Sequence, residues 1–386
     1  MNKVYNTQKD FTSSFKKFLI KIFPEMRKTQ IKIIPAIIFG MISSENVTAP
    51  DIAKKLKDDF SLVQTDSVIK RIRRLFKNKL FNGYALYDKF IRFVIKTYKK
   101  KHNDKRVHII FDHMFSHANF TTNMISMRIG TQGIPLWFRC FKGKSDNNAF
   151  REEMIKEGIT YISNLFDSSF ELIFLADRWF SSATLIKHIN DLNHKYCIRI
   201  KSDIKINYYD KKEKHYIWKK AKDLKNYEYH PAYYEKVKLT SRKYETNIVI
   251  SKKHGVDEPW IITTNNDVQR AIKDYGYRYG GVETIFKNQK TNGFNLEKVV
   301  NASLKYFKSM YCLLCIAITF MVIIGSDYSK NTKCYKDVKL NTHKRQKSGK
   351  RIRIMSLFNV GLTLFNMALN SSRYIRIPYS FTLYDS

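Results

Sequence analysis

The sequence predicts a mixed α/β fold, a mixed sheet flanked by helices, with a helical region ahead of it. Three observations carry that expectation. Apolar residues recur at three- and four-residue spacing up to about residue 101, and the pattern changes to period-two and continuously apolar segments from residue 107. From there on, strand-like and helix-like segments alternate in a definite order.

Residues 1–101 read as a helical domain, with turn signals at SSENVTAPD and at Asn82-Gly83. Within it, SVIKRIRRLFKNKLF sets Lys70, Arg71, Arg73, Arg74, Lys77 and Lys79 around a helix whose apolar side is Ile69, Ile72, Leu75 and Phe76. A basic helix after a turn-like segment resembles a helix-turn-helix arrangement and suits DNA phosphates, with Arg71 and Arg74 as contacts. The plainer alternative is a solvated helix face.

After the charged link YKKKHNDKR, VHIIFD (107–112), TNMISMRIG (122–130) and IPLWFRCFKG (134–143) read as three consecutive strands. NNAFREEMIKEGITYISNLF reads as a helix and ELIFLAD (171–177) as a buried central strand. SSATLIKHINDLN is then a helix capped by Ser181 or Ser182, and KYCIRIK (195–201) a fifth strand. Three antiparallel strands, a helix, a strand, a helix and a strand is the order of a ribonuclease-H-like domain. In that topology the first and fourth strands are neighbours, and Asp112 and Asp177 end them. Residues 202–265 read as a β-rich insertion, and helical periodicity resumes at 266 and carries Glu283. The core so divided spans 107–201 and 266–330, with a basic linker and C-terminal helix in 331–386.

The chain has 70 Lys+Arg against 34 Asp+Glu, a formal charge of +36, spread along its length. Such a field attracts a polyanion, so nucleic acid is the favoured partner over a membrane surface. Five cysteines, an odd and scattered number, and an N-terminus without a signal pattern fit a reduced cytoplasm. Cys312 and Cys315 form a CxxC, but inside the apolar run 310–325, where buried helix positions are expected rather than zinc or redox chemistry. That run is shorter than the roughly 20 residues needed to span a bilayer and reads as a core helix, as does 33–42.

The chemistry turns on three carboxylates. A single aspartate at a strand end is more often a turn or cap residue. Asp112, Asp177 and Glu283 at compatible topological positions together suggest an oxygen-ligand site for divalent metal. Two such ions roughly 3.5–4 Å apart stabilise the attacking and leaving oxygens of a phosphodiester, and Mg²⁺ needs only a few carboxylates. His113 and His117 have a four-residue spacing, but no further zinc ligands accompany them.

Around Glu283 the residues Tyr275, Arg278, Glu283 and Lys290 resemble the Y-x2-R-x3-E-x6-K signature of bacterial insertion-sequence DDE transposases of the insertion-sequence-four-like group. The interval from Arg278 to Glu283 holds four residues instead of three, with Gly280 and Gly281 placed to absorb the extra one. ADRWF (176–180) resembles the second-aspartate motif, and the resemblance extends over about 107–324. It implies a ribonuclease-H-like core with a β-rich insertion before the glutamate helix, and a metal site of Asp112, Asp177 and Glu283 holding two Mg²⁺, with Mn²⁺ able to substitute. The implied reaction is cut-and-paste transposition: water cuts a strand at a transposon end, and the freed 3′-hydroxyl attacks another phosphodiester. Arg278, Lys287 and Lys290 are then phosphate clamps and Tyr275 a phosphate or sugar donor. The implied partners are the terminal inverted repeats and target DNA, both double-stranded, and a second copy in a synaptic dimer, in the bacterial cytoplasm at the nucleoid.

Two other readings use the same residues, a ribonuclease-H-like nuclease that only hydrolyses and a DNA-binding protein without catalysis. For Trp179, Trp218 and Trp260, strand or core packing is expected, and no hairpin intermediate is inferred. The basic linker 339–353 and the amphipathic helix after it suit DNA contact and pairing of two copies, or packing on the chain's own core.

Overall fold

The computed structural model describes residues 7–56, 63–102, 106–116, 119–143, 148–224, 230–239, 244–252, 258–290, 293–346, 349–371 and 375–384. His117 and the link 57–62 lie outside them.

Five helices come first: α1 (Thr7–Ile22), α2 (Lys28–Ser44), α3 (Ala49–Lys54), α4 (Thr65–Lys77) and α5 (Gly83–Lys99). Thr48 and Asn82 cap α3 and α5 by accepting from the amides of Asp51 and Ala85. Helix α4 buries Val68, Ile72, Leu75 and Phe76 and exposes Lys70, Arg71, Arg73 and Arg74. Val68 thus joins the apolar stripe, and Ile69 is half-buried.

The strands are β1 (Arg106–Ser116), β2 (Phe120–Ile129), β3 (Gln132–Lys142), β4 (Glu171–Ala176), β5 (Lys195–Arg199), β6 (Lys205–Asp210), β7 (His215–Lys220), β8 (Ala232–Leu239), β9 (Tyr244–Ser251) and β10 (Trp260–Thr264). They form one sheet in the order β3-β2-β1-β4-β5-β10-β9-β8-β6-β7. β1, β4 and β5 run parallel, while β2 pairs antiparallel with β1 and β3 antiparallel with β2, at the sheet edge. This is the ribonuclease-H-like order. The β-rich segment 202–265 continues the same sheet, joined by the antiparallel β5–β10 ladder.

Helices α6 (Asn148–Ser163) and α7 (Ala183–Asp191) cover one face, with Ser182 capping α7. Helices α8 (Val268–Gly276), α9 (Val282–Gln289) and α10 (Leu304–Lys330) cover the other. Helix α10 is long and apolar enough to cross a membrane, but 94% of its apolar window is buried inside the fold. It is the core helix, packed on β3, α2, α4, α5 and α11 (Leu357–Asn370). Between them, β11 (His343–Arg345) and β12 (Arg351–Arg353) form a separate small ladder. The N-terminal helices are tied to β3 where Tyr87 donates to the carbonyl of Pro135 (2.7 Å) and the amide of Cys140 donates to Tyr84 (3.0 Å). Pro135 sits at a register shift in an edge strand, where a missing amide costs no ladder bond. Cys140, Cys197, Cys312 and Cys315 are buried free thiols, and Cys334 is exposed.

Candidate active site

Strand alternation places the two aspartates. The parallel β1–β4 ladder pairs Ile110 with Leu175 and Phe111 with Ala176, so Asp112 and Asp177 are the next residues on adjacent strands. Both belong to the face covered by α8 and α9. Asp112 is not the end of its strand: β1 continues to Ser116 through its pairing with β2, where Asp112 faces Met124. What ends at Phe111 is the pairing with β4. The strands part there, and Asp177 passes into a short 3₁₀ turn (Arg178–Phe180), accepting from the amide of Arg178 at 2.6 Å.

Glu283 stands in the first turn of α9, where the helix dipole favours a carboxylate. The helical segment from residue 266 divides around the Gly280-Gly281 pair that was placed to absorb the extra residue: α8 ends at Gly276, a 3₁₀ turn covers Tyr277–Gly280, and α9 starts after Gly281. A β-carbon on Gly281 would overlap the side chain of Ile110, so glycine permits α9 to lie directly on β1. Thr284 then fastens it, accepting from the Gly133 amide (3.2 Å) and the Gln132 side chain (2.9 Å) and donating to the Gly281 carbonyl (2.7 Å).

Arg278 stands between the three carboxylates. Its Nη2 lies 3.3 Å from Asp112 Oδ2 and 3.4 Å from Asp177 Oδ2, and its Nη1 donates to Glu283 Oε1 at 3.1 Å. Its side chain is 7% exposed, against 46% for Glu283. Burial opposes the guanidinium's charge, but Asp112, Asp177 and Glu283 outweigh it and hold the proton more firmly than in free arginine. Burial pushes the carboxyls of Asp112 and Glu283 up, with Arg278 pulling the other way. Among the described residues no group of three or more His, Cys, Asp and Glu is close enough together to hold a metal ion as it stands. The carboxylates converge on the guanidinium instead. An all-carboxylate set of formal charge −3 facing a single positive charge nonetheless has the hard oxygen chemistry and the surplus charge that suit a divalent cation.

The other residues singled out in the sequence fall around this centre. Tyr275 is buried, T-shaped against Trp260 at 5.1 Å, and burial holds the proton on its hydroxyl. Lys287 is exposed one turn from Glu283, and Lys290 pairs with Glu297 at 2.8 Å. Arg71 and Arg74 are exposed on α4. Burial lowers His113, whose Nδ1 lies 3.9 Å from Asp112.

Trp179 and Trp218 depart from the packing roles expected of them, standing 68% and 46% exposed. Trp179 borders a cavity of about 380 Å³ lined also by Arg151, Lys201 and the residues that follow the two aspartates in the chain, His113 and Arg178. Sequence reasoning also missed Asp274, which is buried and takes Arg106 Nη2 and His108 Nε2, each at 3.1 Å, and Asn266 Nδ2 at 2.6 Å. That cluster locks α8 to the start of β1 and so sets where Arg278 emerges. The alternation of Arg106 and His108 at the start of the first strand was its one visible signal.

No protein-family model matches the chain, and no curated protein matches it. Among solved structures, it is similar to a piggyBac transposase in a synaptic complex with hairpin DNA, with 13% identity and a TM-score of 0.42 over 96% of this chain and 81% of that one. It is also similar to Marinitoga piezophila Argonaute in complex with 5′-OH guide RNA, with 14% identity and a TM-score of 0.24 over 57% and 31%. Likenesses of this size have no bearing on function.

Proposed function

We propose that the chain is a DDE transposase, a metal-dependent phosphoryl-transfer enzyme that cuts and joins DNA at the ends of a mobile element. The observation that carries this reading is the convergence of Asp112, Asp177 and Glu283, from three separate elements, on one buried cation. Structural ion pairs seldom gather three acids around one base, because the surplus negative charge is costly to bury.

Asp112, Asp177 and Glu283 are the residues that would hold Mg²⁺. Bound there, the metal would supply Lewis-acid stabilisation of the oxygens that gain charge in phosphodiester cleavage. The chain's own residues do the rest. Arg278 has two kinds of anion open to it, the carboxylates it now bridges and a phosphodiester, whose oxygens suit the same forked donor. Lys287 and Lys290 extend that positive edge along α9. Arg71 and Arg74 present a second cationic face, suited to the backbone of double-stranded DNA. Two ends must be paired for excision and joining, so a dimer on DNA belongs to the reading.

The test uses the purified full chain, Mg²⁺ and a plasmid carrying the inverted repeats that flank its coding sequence. Nicked or excised ends and strand-transfer products are expected. Asp112→Asn, Asp177→Asn and Glu283→Gln should each abolish them while DNA binding persists. Undiminished cleavage by Glu283→Gln overturns the reading, and cleavage without strand transfer reduces it to a nuclease.

A further inference from the structure

The outer edge of the sheet carries aromatic side chains that the core does not use. β7 is the terminal strand and almost wholly exposed. Its register with β6 pairs Asn207 with Trp218, Tyr209 with Tyr216 and Lys205 with Lys220. These six residues therefore share one face. Lys238 joins them, paired with Asn207 across the β6–β8 ladder, with its Nζ 5.6 Å from the centre of the Tyr216 ring. Tyr209 and Tyr216 meet edge-on at 5.5 Å, and both are 51% exposed. A cavity of about 540 Å³ opens beside Trp218, lined by Lys205, Lys219, Lys220 and Asp223.

Which face this is follows from the ladders. Asp177 shares its side with Leu175, which pairs with Cys197; Cys197 pairs with Thr264, Thr264 with Asn247, and alternation from Asn247 leads to Glu245 and its partner Lys238. The aromatic patch is on the same side of the continuous sheet as the carboxylates.

Water-exposed aromatic rings flanked by ammonium groups match one class of ligand. Each ring offers a stacking surface to any unpaired base, and each lysine a partner for the phosphate beside it. Residues 205–220 hold six lysines against Asp210 and Glu213, so a second copy of this edge would be repelled. Lysines on a terminal strand also oppose addition of a further strand. A duplex satisfies the lysines but leaves the rings without base faces.

We propose that the β6–β7–β8 face, centred on Tyr209, Tyr216 and Trp218, is a binding platform for unpaired nucleotides of a single-stranded DNA segment. The platform does not depend on the metal reading, and its test excludes metal. With the full chain in EDTA, fluorescence anisotropy would follow a labelled oligothymidylate of roughly twelve nucleotides and a duplex of equal length. Trp218→Ala and Tyr216→Ala should each weaken the single strand about tenfold and the duplex under about twofold, at unchanged thermal midpoints, and Trp218→Phe should restore most of the affinity. Lys220→Gln should reduce the salt slope by about one. Asp112→Asn should bind as the parent does, which separates this site from the catalytic one. An unchanged single-strand affinity in the Trp218→Ala, Tyr216→Ala double variant overturns the proposal, as does an equal loss on duplex.

Discussion

The Nη1 of Arg278 donates to Glu283 Oε1 at 3.1 Å across the Gly280-Gly281 break, and this contact sets the geometry of the carboxylate cluster. The extra residue between the two, which lengthens the spacing relative to the transposase signature, is taken up in the 3₁₀ turn, leaving arginine and glutamate side by side.

Removing that guanidinium exposes the acids to one another. Arg278→Gln is expected to cost about 2 kcal/mol in urea unfolding, below the roughly 3–5 kcal/mol of a fully buried pair because Glu283 is 46% exposed. Mg²⁺ should then raise the thermal midpoint more in the variant than in the parent, because a cation is missing. Equal Mg²⁺ shifts in the two proteins would show that the acids do not share a cation site.

Gly281→Ala should destabilise by about 1–2 kcal/mol, since its β-carbon would meet the Ile110 side chain. Ile110→Val in the same chain should recover part of that loss by removing the methyl it strikes. Additive losses in the double variant would place the strain elsewhere.

His194 gives a pH dependence. Burial lowers its pKa from 6.5, and Ser163 Oγ is hydrogen-bonded to its Nε2 at 2.7 Å. The folded state therefore binds this proton less readily than the unfolded chain. Its contribution is fully present above pH 6.5 and is lost as pH falls through the folded value. In denaturant titrations the parent should lose stability across that window, and His194→Asn should show a shallower decline; an identical slope would remove His194 as the cause.

Thiol labelling reads the core directly. Cys334 is exposed, whereas burial holds the Cys140 thiol up at about 11, Cys197 at about 12, and Cys312 and Cys315 well above the usual range. One thiol should react quickly with a disulfide reagent near neutral pH and four only in denaturant. Rapid labelling of Cys312 or Cys315 would contradict the packing of α10.

Much of the core was legible because its signals are local. The apolar run before Asp177 marks a central strand, and the apolar length of α10 marks a buried helix. The exact end of β1 was not legible. Asp112 leaves the β4 ladder while staying in the β2 ladder, and only the partner strands distinguish those events. Trp179 and Trp218 misled for a related reason: a large apolar residue within a strand pattern or just past its end implies burial only if something covers it. Nor could the pattern show that β10 pairs with β5, a contact between residues more than sixty positions apart that makes the insertion part of the main sheet.

That pairing makes the molecule a caliper. Six strand steps separate β4, which leads to Asp177, from β7, which bears Trp218, and at about 4.8 Å each they span roughly 29 Å of hydrogen-bonded sheet. Strand twist accumulates over those steps to a rotation of roughly 120–150°. Among the described residues the strands are paired in sequence from β4 to β7, with one register shift between β8 and β9, so a polymer held at both ends would meet a set spacing. It must bend and wind to meet two jaws whose separation the backbone has already set.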